Sequence, residues 1–167
     1  HHQLYEYLGG EWTAIPWKRG AVRTTTVNWA VLVDEQLYVV GDNGLLLRRR
    51  DARNFDAVVL DGVNPRTRNL DWLRAWASDD ASSLYVRAGY DRLLHIELST
   101  GHTRLFPIPL DGSGGSAPAA TTPLMIGRSG SEGDELLLVM GQGVYRFDGR
   151  EVMPVASFDK PVEELAF

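Results

Sequence analysis

The sequence predicts an all-β fold, a β-propeller-like array of four-stranded antiparallel blades with about three full blades plus a split blade. Three observations predict it. First, one unit recurs: Leu37–Arg48 and Leu137–Phe147 both read as strand, glycine turn, strand, with one residue fewer in the second turn. Leu84–Ile96 is a third copy, starting 47 residues after Leu37 and 53 before Leu137. Second, Leu4–Ile15 aligns without a gap on Val144–Val155, an offset of 140 residues that is close to three such units. Third, apolar runs of strand length are separated by turn pairs: Gly9-Gly10, Asp42-Asn43-Gly44, Thr100-Gly101 and Asp148-Gly149. Asn-Gly and Asp-Gly mark tight hairpins because their backbones accept positive φ.

The elements follow in order along one domain, 1–167. Positions 3–20 read as the last two strands of a blade, with Trp12 holding a structural slot on the outer one. The next unit, 24–62, has a first strand over Val27–Val33, a Leu-Tyr-Val strand from Leu37, a third after the glycine turn and a fourth carrying Phe55. In the unit 70–111, Leu70–Ala77 has some helical character, but its Leu-Trp-Leu-Arg-Ala-Trp pattern alternates and fills the slot of a first strand, so strand is predicted from about Asp71 to Ala77. Phe106 falls on the fourth strand there. The unit 122–158 starts with Leu124–Arg128 and ends on a strand carrying Val152. Residues 162–167 start or close a blade, and 111–121, rich in Gly, Ser and Pro, form a flexible loop that lengthens the 53-residue step. A second polar connection, Gly62–Asn69, carries Arg66 and Arg68. One blade cannot bury both faces, so neighbours must stack. The order of strands admits a closed four-bladed ring, a segment of a larger propeller, or a homodimer that closes a ring.

Composition narrows the function classes. A net charge of −5 disfavours sequence-independent nucleic-acid binding, which needs a cationic surface. Cysteine is absent, which removes disulfides and thiolate metal sites. No apolar run approaches the length of a membrane span and no signal peptide is visible, so membrane insertion is not expected and the cytoplasm is the default compartment, although the mature form of a periplasmic or secreted protein would look the same. Arginine far outnumbers lysine, as in a GC-rich bacterial genome. His1 and His2 look like the remnant of a purification tag and carry no site reasoning.

Leu37–Val58 resembles the repeat of the YCF48-like and BNR (Asp-box) propeller families. The shared residues are Val40-Gly41-Asp42-Asn43-Gly44, the following Leu45-Leu46-Leu47-Arg48, then Asp51 and Phe55. An Asp-box has the form Ser-x-Asp-x-Gly-x-Thr-Trp; here Arg49 and Arg53 replace Ser and Gly, and no Trp closes it. The resemblance implies a scaffold in which the Asp caps a turn and the aromatic packs between strands. The arginine triad and Tyr-Glu pair of the sialidases in that superfamily have no counterpart that can be placed in this chain.

Chemistry-bearing motifs are sparse. Gly127-Arg128-Ser129-Gly130-Ser131 departs from the nucleophile elbow at its last position. His95 and His102, on one hairpin, lack a carboxylate cluster and read as one packed and one solvated residue. The acid pairs Asp79-Asp80, Asp134-Glu135 and Glu163-Glu164 include two in turns, where solvation keeps a carboxyl too acidic for general-acid work. No cofactor and no metal are expected.

The candidate binding residues are therefore aromatic and cationic. Trp29, Trp72 and Trp76 fall on first strands, and simple alternation puts Trp72, Arg74 and Trp76 on one face. Tryptophan and arginine dominate recognition hot spots. Arg48 and Arg50 share a face in a basic run at a strand end, which reads as solvated edge charge or an anion-binding patch. The expected function is non-enzymatic: a protein-binding module, for example an assembly factor or an immunity-type inhibitor of a basic partner. A carbohydrate or small-ligand binder using the Trp and Arg row is the alternative. A glycosidase-like fragment is a third, and it would need a carboxylate pair.

Overall fold

The computed structural model describes residues 4–8, 10–15, 26–51, 54–62, 70–109, 124–130, 133–140 and 142–158. The expected loop at 111–121, the connection carrying Arg66 and Arg68, and the strand over 162–167 lie outside the described residues. Among the described residues the chain is all-β, and its only helical element is a single 3-10 turn at Asp42–Gly44. No helix among them is long and apolar enough to cross a membrane.

A two-stranded hairpin comes first, β1 (Leu4–Leu8) with β2 (Glu11–Ile15). Three four-stranded antiparallel sheets follow. The first is β3 (Val27–Val33), β4 (Gln36–Gly41), β5 (Leu45–Arg49) and β6 (Phe55–Ala57). The second is β7 (Trp72–Ala77), β8 (Ser83–Ala88), β9 (Arg92–Glu97) and β10 (Thr103–Pro107). The third is β11 (Leu124–Gly130), β12 (Gly133–Met140), β13 (Gly143–Phe147) and β14 (Val152–Ser157). Each sheet takes its strands in chain order, so every link within a blade is a hairpin. Leu37–Arg48 and Leu137–Phe147 occupy like positions, the second and third strands of their blades, and Leu84–Ile96 does the same. The Leu-Trp-Leu-Arg-Ala-Trp segment is strand, as its alternation predicts.

Alternation explains the stacking. Facing sides of the first and second sheets supply one core, with Tyr38, Val40 and Leu46 against Trp72, Leu84, Val86 and Ile96. The opposite side of the second sheet meets the third in another core, where Tyr85 and Leu93 pack on Leu136, Tyr145 and Phe147. Phe147 is 1% exposed and has edge-on contacts with Phe106 at 4.8 Å and Tyr85 at 5.7 Å between ring centroids. The strands nearest one another between sheets are β3 with β7 and β7 with β11, so the first strand of each blade lies on the side where the sheets converge.

The turns between third and fourth strands share a device. Asp51 Oδ1 accepts from Asn54 N, Thr100 Oγ1 from His102 N, and Asp148 Oδ1 from Arg150 N and Glu151 N. These backbone bonds, the Glu151 one foremost, hold the Asp148 carboxyl below its ordinary range. Gly101 makes a close approach possible: at φ +72° it lies so near the connection from β6 that a Cβ would sit 2.6 Å from Val59 O. That connection is tied to the second sheet through Asp61 N to Gly101 O and Thr103 Oγ1 to Asp61 O.

Trp12 departs from expectation. Phe55, Phe106 and Val152, at the corresponding place on later fourth strands, pack into clusters, whereas Trp12 is 71% exposed. It lies opposite Tyr7 on a sheet that has two strands among the described residues.

Candidate functional site

The first strands of the first two blades carry the same irregularity. In β3 the pairing with β4 slips by one residue between Val27 and Trp29, leaving Asn28 unpaired. In β7 the pairing with β8 slips between Trp72 and Arg74, leaving Leu73 unpaired. An extra residue of this kind reverses which face later side chains take and re-aims them.

The bulge corrects one expectation. Trp72 does not share a face with Arg74 and Trp76. It is fully buried in the core between the first and second sheets, whereas Trp76 packs against the core between the second and third. Strict period-two counting holds only when every residue is paired. The slip at Leu73 leaves Arg74 opposite Arg87 and Trp76 opposite Tyr85, on the far face of the same sheet.

Three of the candidate residues do meet. The Arg74 guanidinium carbon lies 4.6 Å from the centre of the Trp29 ring, and the Trp29 and Trp76 rings stack at 6.4 Å with 24° between planes. Both distances are within the range in which cation–π and aromatic pairs attract. Trp29 is 36% exposed, so the cluster is presented to solvent. Asn28, freed by the bulge, fastens its base: Nδ2 donates to Asp42 Oδ1 and to Trp72 O.

Beneath the cluster sits Arg87, which sequence reasoning missed. It is 4% exposed on β8, directly across from Arg74. Its Nη2 donates to Tyr90 O at 3.1 Å, while buried Nε and Nη1 have no hydrogen-bond partner among the described residues. Burial pushes its pKa down to about 10; the Arg74 charge acts in the same direction, and Tyr90 and Asp91 act against it. Burial lowers Arg74 as well. The signal was in the repeat: the position held by Arg87 is Val40 in one copy and Met140 in another.

The other candidates lie apart. Arg48 is exposed near the end of β5, two strands from β3. Arg50 follows it in the turn and pairs with Asp56 at 3.2 Å and Asp51 at 3.6 Å, so neighbouring acids already answer its charge. His95 stacks on Tyr85 at 5.1 Å and His102 is exposed. Asp80 is exposed and held down to about 2 by the Ser78 hydroxyl and the Ser82 backbone and side chain, the setting of a turn cap. Among the described residues no group of three metal-ligating side chains comes together.

Neither a family model nor a curated protein matches this chain.

Proposed function

We propose that this chain is a non-enzymatic binding module whose recognition surface is the cluster of Trp29, Arg74 and Trp76, and that its partner is another protein. The observation that carries this is the stack of two indoles and a guanidinium at the edge where blades converge, partly open to water. Exposed tryptophan beside arginine is the composition of interface hot spots. The net charge of −5 suits a partner that is basic overall. The carboxylates support an enzymatic reading less well, since Asp80 caps its own turn and is held far too acidic to donate a proton near neutrality.

The compactness of the cluster favours a second reading, a small ligand or sugar ring laid on Trp29. Affinity capture tests the first. Wild-type protein should retain a defined partner that is lost by at least tenfold in Trp29→Ala/Arg74→Ala and kept by Arg48→Ala/Arg50→Ala. Equal capture by the cluster variant would reject this surface, and loss only in the second variant would move the site to β5.

A further inference from the structure

We propose that Arg87 and Arg74 together receive a single carboxylate group, which the Trp29 and Trp76 rings flank. This deepens the binding reading above and rests on it. Four observations converge. Arg87 is 4% exposed, and two of its guanidinium nitrogens have no acceptor among the described residues. A buried donor left unmade costs free energy, and a charged one costs more, so such a group ordinarily has an anion or a polar partner. The residue directly opposite on the neighbouring strand is a second arginine, although like charges across a strand pair repel. Arg74 has its cation–π contact with Trp29 and no ion pair among the described residues. Asp91, four residues after Arg87, acts on it only through its charge and forms its ion pair with Arg92 at 3.5 Å.

These features select the ligand's chemistry. A guanidinium fork matches the planar, two-oxygen geometry of a carboxylate. One charge placed between two arginines would satisfy Arg87 and relieve its repulsion with Arg74. The indoles supply an apolar, planar wall, so the carboxylate should be carried on an apolar or flat group. The site is local: with a net charge of −5 the chain does not attract acidic surfaces at long range, so recognition depends on insertion of one group. That group is an acidic side chain of a partner or a small free acid, and both present the same two oxygens.

The test titrates the intact chain with benzoate and, separately, with the capped tripeptide acetyl-Gly-Glu-Gly-amide, following indole fluorescence. Benzamide and the Gln tripeptide serve as uncharged controls. At least one acid should give a saturable change, with its control at least tenfold weaker. Arg87→Met and Arg74→Met should each weaken it at least tenfold, and Arg87→Lys, which keeps the charge but not the fork, should fall between. A response to benzoate alone assigns the site to small acids; a response to the peptide assigns it to a partner's side chain. The proposal is overturned if neither acid saturates, if the uncharged controls bind equally, or if folded Arg87→Met binds as wild type does. Partner capture that persists in Arg87→Met but fails in Trp29→Ala/Arg74→Ala would discard the carboxylate site and leave the binding surface standing.

Discussion

Replacing Arg87 with methionine should make the ligand-free protein more stable. The side chain is 4% exposed, and burial brings its pKa well below the ordinary guanidinium value, to about 10. At 1.36 kcal/mol per tenfold, the fold disfavours the charged form by about 3 kcal/mol. Methionine fills much of the same volume without a charge, at the loss of one hydrogen bond to Tyr90 O worth about 1 kcal/mol. The net gain is about 2 kcal/mol, in line with the roughly 1–4 kcal/mol gained when well-packed apolar groups replace buried charges. For a chain of this length that is a rise in Tm of about 4–8 °C. Thermal and urea unfolding of wild type and Arg87→Met would measure it, with urea m-values checking that both unfold alike. A loss of 1 kcal/mol or more in the variant would refute the reasoning, because it would mean that the guanidinium is an anchored structural group. Arg74→Met, at a partly open position, should change stability by about 1 kcal/mol or less.

Other expectations concern the scaffold. Phe147→Ala removes a ring that is 1% exposed and sits between the second and third sheets, so urea unfolding should show a loss of about 3–5 kcal/mol; a loss under 1 kcal/mol would mean that these sheets do not stack. The β3–β4 turn places Asp34 at φ 46° and Glu35 at φ 63°, so Glu35→Gly should raise stability by about 0.5–1 kcal/mol in the same assay. Asp80 is held down to about 2, chiefly by Ser78, so its contribution is complete above its unfolded value near 4 and disappears as pH falls through 2. The melting difference between wild type and Asp80→Asn should therefore be present at pH 6 and vanish near pH 2; a difference independent of pH would assign it to packing instead.

Strand positions were legible because turn chemistry is local. Val27–Val33 is read and observed with the same bounds, and β7 is a strand because alternation and its place in the repeat outweigh the helical look of leucine and alanine. The faces of the first strands were not legible. A bulge is a property of two strands together, and nothing in Val27-Asn28-Trp29 or Trp72-Leu73-Arg74 taken alone announces the unpaired residue. Hence Trp72 goes into a core while Trp76 and Arg74 go to the other side. Trp29, Arg74 and Trp76 were identified from residue type and strand position, but the contact between them depends on how two sheets approach. Arg87 was hidden for a different reason: a strand reading averages over side chains, and one arginine within Leu84–Ala88 stands out only when the copies are laid over one another and Val40 and Met140 appear at its place. The basic run at Arg48 is plain in sequence, yet Asp56, which neutralises Arg50, arrives from the next strand.

The indole Nε1–H resonances of the five tryptophans offer the most direct test of where binding occurs. With captured partner added to isotope-labelled protein, the signals of Trp29 and Trp76, assigned by single substitution to phenylalanine, should shift or broaden while those of buried Trp72 and outlying Trp12 stay in place. Shifts confined to Trp12, with Trp29 and Trp76 unmoved in the bound state, would contradict the account.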